Sequence, residues 1–187
     1  MSSISASSAA AHHPAHMAPP ALARQVLAAA LFLIIVAAVA FGGSLASTDN
    51  VDGWYAGAEK VAWNPPNAVF GPTWTLLYAL LALAGFLIWR SGFREGEPNA
   101  ARNALALFVT QLALNAMWTP AFFAGYPAIG PAAWWIAAVI IVALIVVVIA
   151  LAVSARRWSR IAAWIMLPYL AWLCFATSLN IGIIVLN

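Results

Sequence analysis

The sequence predicts an all-α integral membrane protein: a five-helix transmembrane bundle with a long structured loop between its first and second helices. Three observations predict it. Of 187 residues, 65% are hydrophobic and only 7% charged, with a mean hydropathy of +0.94, whereas soluble domains carry about 25% charged residues. Five apolar runs each reach the roughly 20 residues that a membrane-crossing helix needs. The few basic residues then fall almost entirely on one side of the five-span layout. An ordinary soluble domain, a disordered chain and a nucleic-acid binder are all excluded, because eight Lys and Arg cannot form a continuous basic stripe.

In chain order, residues 1–20 are rich in Ser, Ala, His and Pro and predict a disordered tail, followed by one transmembrane domain over 21–187. The five spans are expected at 22–46, 69–89, 103–126, 128–153 and 158–186. The first is too long for a typical signal-peptide core and reads as a retained helix. The runs are continuous and rich in Ala, Leu and Ile, without the alternation of a β-barrel strand. Loop 47–68 is long and holds Trp54, Tyr55 and Trp63, which suits a packed lid better than a linker. Pro72 is expected to open the second span, where a missing N–H is harmless. Pro120 and Pro168 fall inside spans three and five and predict kinks. A Pro/Gly turn around 126–131 joins spans three and four.

Five spans put the termini on opposite sides. The N-terminal side then holds Arg24, Arg90, Arg94, Arg102, Arg156, Arg157 and Arg160, and the other side holds Lys60 alone. The positive-inside rule makes the N-terminal side cytoplasmic. The expected location is a bacterial cell membrane, inner rather than outer.

Rare residues narrow the function. The single cysteine, Cys174, allows no intramolecular disulfide or zinc cluster. The three histidines, His12, His13 and His16, lie in the tail, so no span offers a haem ligand. All five acids lie between the apolar runs, whereas ion-coupled transporters keep a titratable group within the membrane. No resident cofactor or metal is expected.

Ten tryptophans invite an interfacial-belt reading, which suits Trp89, Trp134, Trp135 and Trp158. Trp74, Trp118 and Trp172 lie deeper. Trp74 and Tyr78 are i, i+4; Gln111, Asn115, Trp118 and Phe122 follow i, i+4, i+7, i+11; Tyr169, Trp172, Ala176 and Asn180 follow i, i+3, i+7, i+11. Each set shares a helix face. Amides are costly against lipid, so these faces turn inward. Aromatic walls with a few convergent polar groups suit a flat, apolar ligand with polar edges. Ala38 and Gly42 form a small-xxx-small pair that could serve dimerisation.

The same residues carry a family resemblance. They are Trp54-Tyr55; Trp63-Asn64-Pro65-Pro66-Asn67 running into Val69-Phe70-Gly71-Pro72-Thr73-Trp74 and on to Tyr78; Gln111 to Pro120 with Phe122-Phe123; and Leu167-Pro168-Tyr169-Leu170-Ala171-Trp172 with Phe175-Ala176 and Leu179-Asn180. Over roughly residues 24–183 the chain resembles the TspO family, the tryptophan-rich sensory proteins related to the mitochondrial translocator protein, or peripheral-type benzodiazepine receptor. The resemblance implies a five-helix bundle, often a homodimer, whose ligand pocket is capped by the first loop. It implies tetrapyrrole ligands such as protoporphyrin IX and haem, and drug-like hydrophobic molecules. It places the ligand-binding residues at Tyr55, Pro65, Trp74, Tyr78, Asn115, Trp118, Phe122, Trp172 and Ala176.

The expected function is a membrane sensor or receptor for tetrapyrroles that regulates or transports them. The alternative is light-dependent porphyrin degradation, in which Trp74 and Trp172 would be the catalytic residues. No general acid, base or nucleophile accompanies them, so hydrolytic and transfer chemistry is excluded there. The chain departs from the family pattern at Val61 and Ala68, where Pro and Trp are common. Near its end, Leu179 to Asn187 holds neither the Tyr nor the base of the animal sterol motif, so strong cholesterol binding is not expected.

Overall fold

The computed structural model describes residues 19–187. The tail predicted over 1–20, with its three histidines, lies outside the described residues except for 19 and 20. The elements are α1 (Leu22–Asp52), the short α2 (Trp54–Gly57), α3 (Asn67–Gly92), α4 (Arg102–Thr119), a π-helical turn (Pro120–Ala124), α5 (Gly125–Ile129), α6 (Ala132–Ala155) and α7 (Arg160–Leu186). Among the described residues there is no strand. Five helical stretches are long and apolar enough to cross a membrane: α1, α3, the continuous stretch Arg102–Ile129, α6 and α7. The protein is an integral, multi-pass membrane protein.

The spans close into a ring. α1 packs on α3, α3 on α7, α7 on α6, α6 on α4, and α4 back on α1. α6 shows how sequence produces this. Ala137, Ile141, Leu144, Val148, Leu151 and Ala155 are buried at helical spacing, and the intervening Val139, Val142, Val146 and Val153 are exposed. In water such a surface would aggregate; here it faces lipid tails. α1 is the loosest member, with only Val36 buried.

The two ends carry opposite ties. At the N-terminal end, Arg24 Nη1 donates to Glu95 Oε1 at 2.8 Å, and its guanidinium lies 5.8 Å from the Phe93 ring. At the other end, Glu59 N donates to Asn187 Oδ1 at 2.9 Å and Asn187 Nδ2 donates back to Glu59 O at 3.0 Å. The first loop therefore sits at the same end as the C-terminus, as five crossings require.

Several boundaries differ from the sequence reading; residues 126–129, expected within a turn, belong to α5, and α6 begins at Ala132 rather than 128. α1 runs to Asp52 rather than 46, because an apolar run measures bilayer depth and not helix length. The polar extension stays helical by turning side chains onto its own carbonyls: Thr48 Oγ1 donates to Ser44 O and Asn50 Nδ2 to Ala46 O. It stops at Gly53, where a Cβ would stand 2.8 Å from Asp49 O. α3 begins at Asn67, so Pro72 is its sixth residue and not its first. The carbonyl that Pro72 leaves without a donor belongs to the exposed Ala68 at the helix end, where the cost is small. Pro120 produces a π-helical turn, in which Gly125 N–H reaches back to Pro120 O, a known way of absorbing a missing helix bond. Pro168 lies within the continuous α7.

At Gly85 three spans pack closely. A Cβ there would lie 2.7 Å from both Phe108 and Phe32, whose rings meet edge to face at 5.5 Å. Gly85→Val is expected to destabilise the bundle by about 1–3 kcal/mol through overpacking. A lowered thermal unfolding midpoint in detergent checks this; an unchanged midpoint would contradict the packing described.

Candidate functional site

Below the first loop lies a cavity of about 310 Å³. α3 contributes Phe70, Trp74 and Tyr78 to its wall; α4 and the π-helical turn contribute Trp118 and Phe122; α7 contributes Trp172, Ala176 and Asn180. Trp74 is the hub of the aromatic wall. Its ring is stacked on Tyr78 at 5.4 Å, tilted against Trp118 at 6.4 Å and edge-on to Trp172 at 6.3 Å. Trp118 stacks on Phe122 at 5.7 Å, the i, i+4 pair foreseen from spacing.

A hydrogen-bond chain runs from this wall into the bundle. Tyr78 O–H donates to Asn115 Oδ1 at 2.7 Å, Asn115 Nδ2 donates to Tyr169 Oη at 2.8 Å, and Tyr169 O–H donates to Gln111 Oε1 at 3.2 Å. Asn115, Tyr169 and Gln111 are all buried. The chain joins α3, α4 and α7 and satisfies groups that lipid could not. Other buried polar atoms stay unpaired. Gln111 Nε2, Trp118 Nε1, Trp134 Nε1, Trp172 Nε1 and Asn180 Oδ1 lack partners, and three of these residues, Trp118, Trp172 and Asn180, line the cavity. Unpaired buried groups cost free energy and ask for an explanation.

The loop over the cavity is packed and bonded. Trp54 inserts among Phe122, Phe123, Tyr126 and Trp134, with ring centroids 4.6–6.3 Å away. Its Nε1 donates to Phe123 O at 3.0 Å. In an α-helix that carbonyl would accept from residue 127, but Pro127 has no N–H, and the indole supplies a donor. Tyr55 is buried, lines the cavity and donates to Asn64 Oδ1 at 3.1 Å. Burial pushes its phenol above the ordinary value, against the opposing pull of that hydrogen bond, so Tyr55 stays neutral at physiological pH. Lys60 Nζ sits 4.7 Å from the Tyr55 ring centroid and donates to Ala58 O. Trp63 Nε1 donates to Ser178 Oγ at 3.2 Å. Val61 packs so closely on α7 that a Cβ at Gly182 would stand 2.5 Å from it.

Residues 30–186 match the TspO/MBR family. The chain belongs to the TspO/MBR family. It is 39% identical over 152 residues to the tryptophan-rich protein TspO of Archaeoglobus fulgidus, covering 81% of this chain and 92% of the relative. It is 39% identical over 129 residues to the human translocator protein, covering 68% and 70%. The tryptophan-rich sensory protein of Cereibacter sphaeroides is 33% identical over 141 residues, covering 73% and 78%. Membership supports a membrane protein of the sensor and translocator type.

Within this TspO/MBR fold, seven of the nine expected binding residues line the one cavity: Tyr55, Trp74, Tyr78, Trp118, Phe122, Trp172 and Ala176. The other two do not. Asn115 stands behind the wall, its amide engaged on both sides by Tyr78 and Tyr169. Pro65 stays in the loop, where its carbonyl accepts from Asn64 Nδ2. Trp134 also departs from the belt reading. It is 2% exposed and stacked on Tyr126 at 4.5 Å, because the loop's Trp54 covers that helix end; its neighbour Trp135 is 59% exposed. The contribution of α1 went unforeseen. Ala40, Gly43, Ser44 and Ser47 line the cavity, and their i, i+3, i+4, i+7 spacing is a small-residue stripe legible in the sequence.

Asn115→Leu is expected to cost about 1–3 kcal/mol, since it strands the Tyr78 hydroxyl and removes a donor from Tyr169. Thermal unfolding of the purified protein measures it; a neutral effect would mean that the chain carries no weight in the fold.

Proposed function

We propose that this TspO/MBR protein binds a tetrapyrrole, of the protoporphyrin IX or haem type, in the cavity under the loop and acts as a membrane sensor or carrier for it. The observation that carries the reading is one aromatic-walled cavity, three of whose lining residues, Trp118, Trp172 and Asn180, each carry a buried polar side-chain atom without a hydrogen-bond partner. Ring faces stack on a flat macrocycle, and indole N–H groups suit acceptors on its rim. A whole tetrapyrrole is larger than this cavity, so one edge must reach beyond it. The α1–α3 side of the cavity suits that edge. Its rim residues Ser44, Gly71 and Thr75 are small and exposed, and the Thr75 hydroxyl is already bonded to Gly71 O.

Titration of detergent-purified protein with protoporphyrin IX, read by tryptophan quenching in the dark, tests this. Saturable quenching is expected. A Trp74→Phe, Trp172→Phe double variant should bind on the order of tenfold more weakly, given about 0.5–1.5 kcal/mol for each aromatic contact. Absent saturation, or unchanged affinity in the variant, overturns the site. Light-dependent bleaching of the bound porphyrin that the double variant loses would replace the sensor reading with degradation.

Two further parts belong to the same proposal. The N-terminus faces the cytoplasm of a bacterial inner membrane, and two copies pair through α1, where Ala38 and Gly42 are exposed and nothing lies within 4 Å of a Cβ at Gly42. C-terminal reporter fusions active only outside the cytoplasm, and a dimer in nanodiscs that Gly42→Leu converts to monomer, are the expected outcomes.

A further inference from the structure

A second concavity, of about 670 Å³, lies between α6 and α7 and includes Arg156 and Arg160. These arginines follow the end of α6 and begin α7, so the groove opens at the membrane end opposite the loop. Its lining includes Ala152 and Ala163, whose small side chains leave a furrow where larger residues would fill the space between the helices. Ile149 and Leu167 are each 46% exposed, and Trp164 is 69% exposed. The lining residues 149, 152 and 153 share one face of α6, and 160, 163, 164 and 167 share one face of α7. Arg156 lies just past the end of the α6 face and Arg160 opens the α7 face.

The charges at this end are unevenly matched. Glu95 bonds Arg24 and Glu97 bonds Arg94. Among the described residues, Arg156, Arg157 and Arg160 have no acidic partner. An occupant must then have an apolar part that follows the furrow and an anionic part that sits between two guanidinium groups. Free phosphate meets only the second requirement. A zwitterionic lipid brings its own cation to the arginines. Arginine pairs favourably with phosphate oxygens, and basic pockets between spans recruit anionic headgroups.

We propose that the α6–α7 groove is a binding site for an anionic phospholipid, with an acyl chain along the furrow and the phosphate between Arg156 and Arg160. The site is separate from the cavity under the loop, which shares no lining residue with it.

The test uses the full chain in nanodiscs of equal phosphatidylglycerol and phosphatidylcholine, followed by native mass spectrometry of retained lipid. About a fivefold preference or more for phosphatidylglycerol is expected, the size of one favourable charge contact at a membrane surface. Arg156→Gln with Arg160→Gln should bring the ratio close to parity, while Arg157→Gln, adjacent but outside the groove, should leave it unchanged. In parallel, phosphatidylglycerol brominated on its acyl chain should quench a fluorescence component that Trp164→Phe removes, a readout that leaves every charge in place. Equal retention of the two lipids, an equal loss in Arg157→Gln, quenching unaffected by Trp164→Phe, or competition by water-soluble glycerol phosphate would each overturn the proposal.

Discussion

Asn115 holds three spans together from one side chain. Its amide oxygen takes the Tyr78 hydroxyl from α3, and its amide nitrogen serves the Tyr169 hydroxyl from α7. In hydrocarbon no water can relieve a missed hydrogen bond, so these groups constrain the register of α3, α4 and α7 against one another. The aromatic wall inherits that register. Tyr78 is both the end of the chain and the stacking partner of Trp74, and Trp74 meets Trp118 and Trp172 from the other two spans. The cavity exists because the helices that surround it are fixed just beside it by polar contacts that lipid cannot replace.

Proline works by the same rule in reverse. Pro120 and Pro127 each remove a backbone donor from the third span. The chain answers with a π-helical turn at one and with the Trp54 indole near the other. That indole is how the loop is anchored: Trp54 caps a carbonyl, covers Trp134 and lies against Phe122, while Tyr55 next to it reaches the cavity. A sequence feature that weakens a helix thus becomes the fastening for the lid.

The two concavities divide the molecule by chemistry. The cavity under the loop is aromatic, has no charged residue in its lining and keeps unpaired indole and amide groups. The groove at the opposite end is mainly aliphatic, with one tryptophan, Trp164, and is finished by two arginines. The first suits a flat ligand with polar edges, and the second suits a chain with an anionic head. α7 lines both, through different residues: Trp172, Ala176 and Asn180 for the cavity and Arg160, Ala163, Trp164 and Leu167 for the groove.

Hydropathy and charge determined the class, the five spans and their order from the sequence alone, because the bilayer makes length and apolarity nearly sufficient to define a spanning helix. Spacing determined which faces carry Trp, Tyr, Asn and Gln, since a helix repeats every 3.6 residues whatever surrounds it. Only the tertiary structure decided what those faces meet. It put Trp134 under Trp54 and left Trp135 to the lipid, and it set Asn115 behind the wall as a brace. It brought the small residues of α1, from Ala40 to Ser47, to the cavity's edge. Such outcomes depend on contacts between residues far apart in the chain, and periodicity along one helix holds no information about the neighbour across from it.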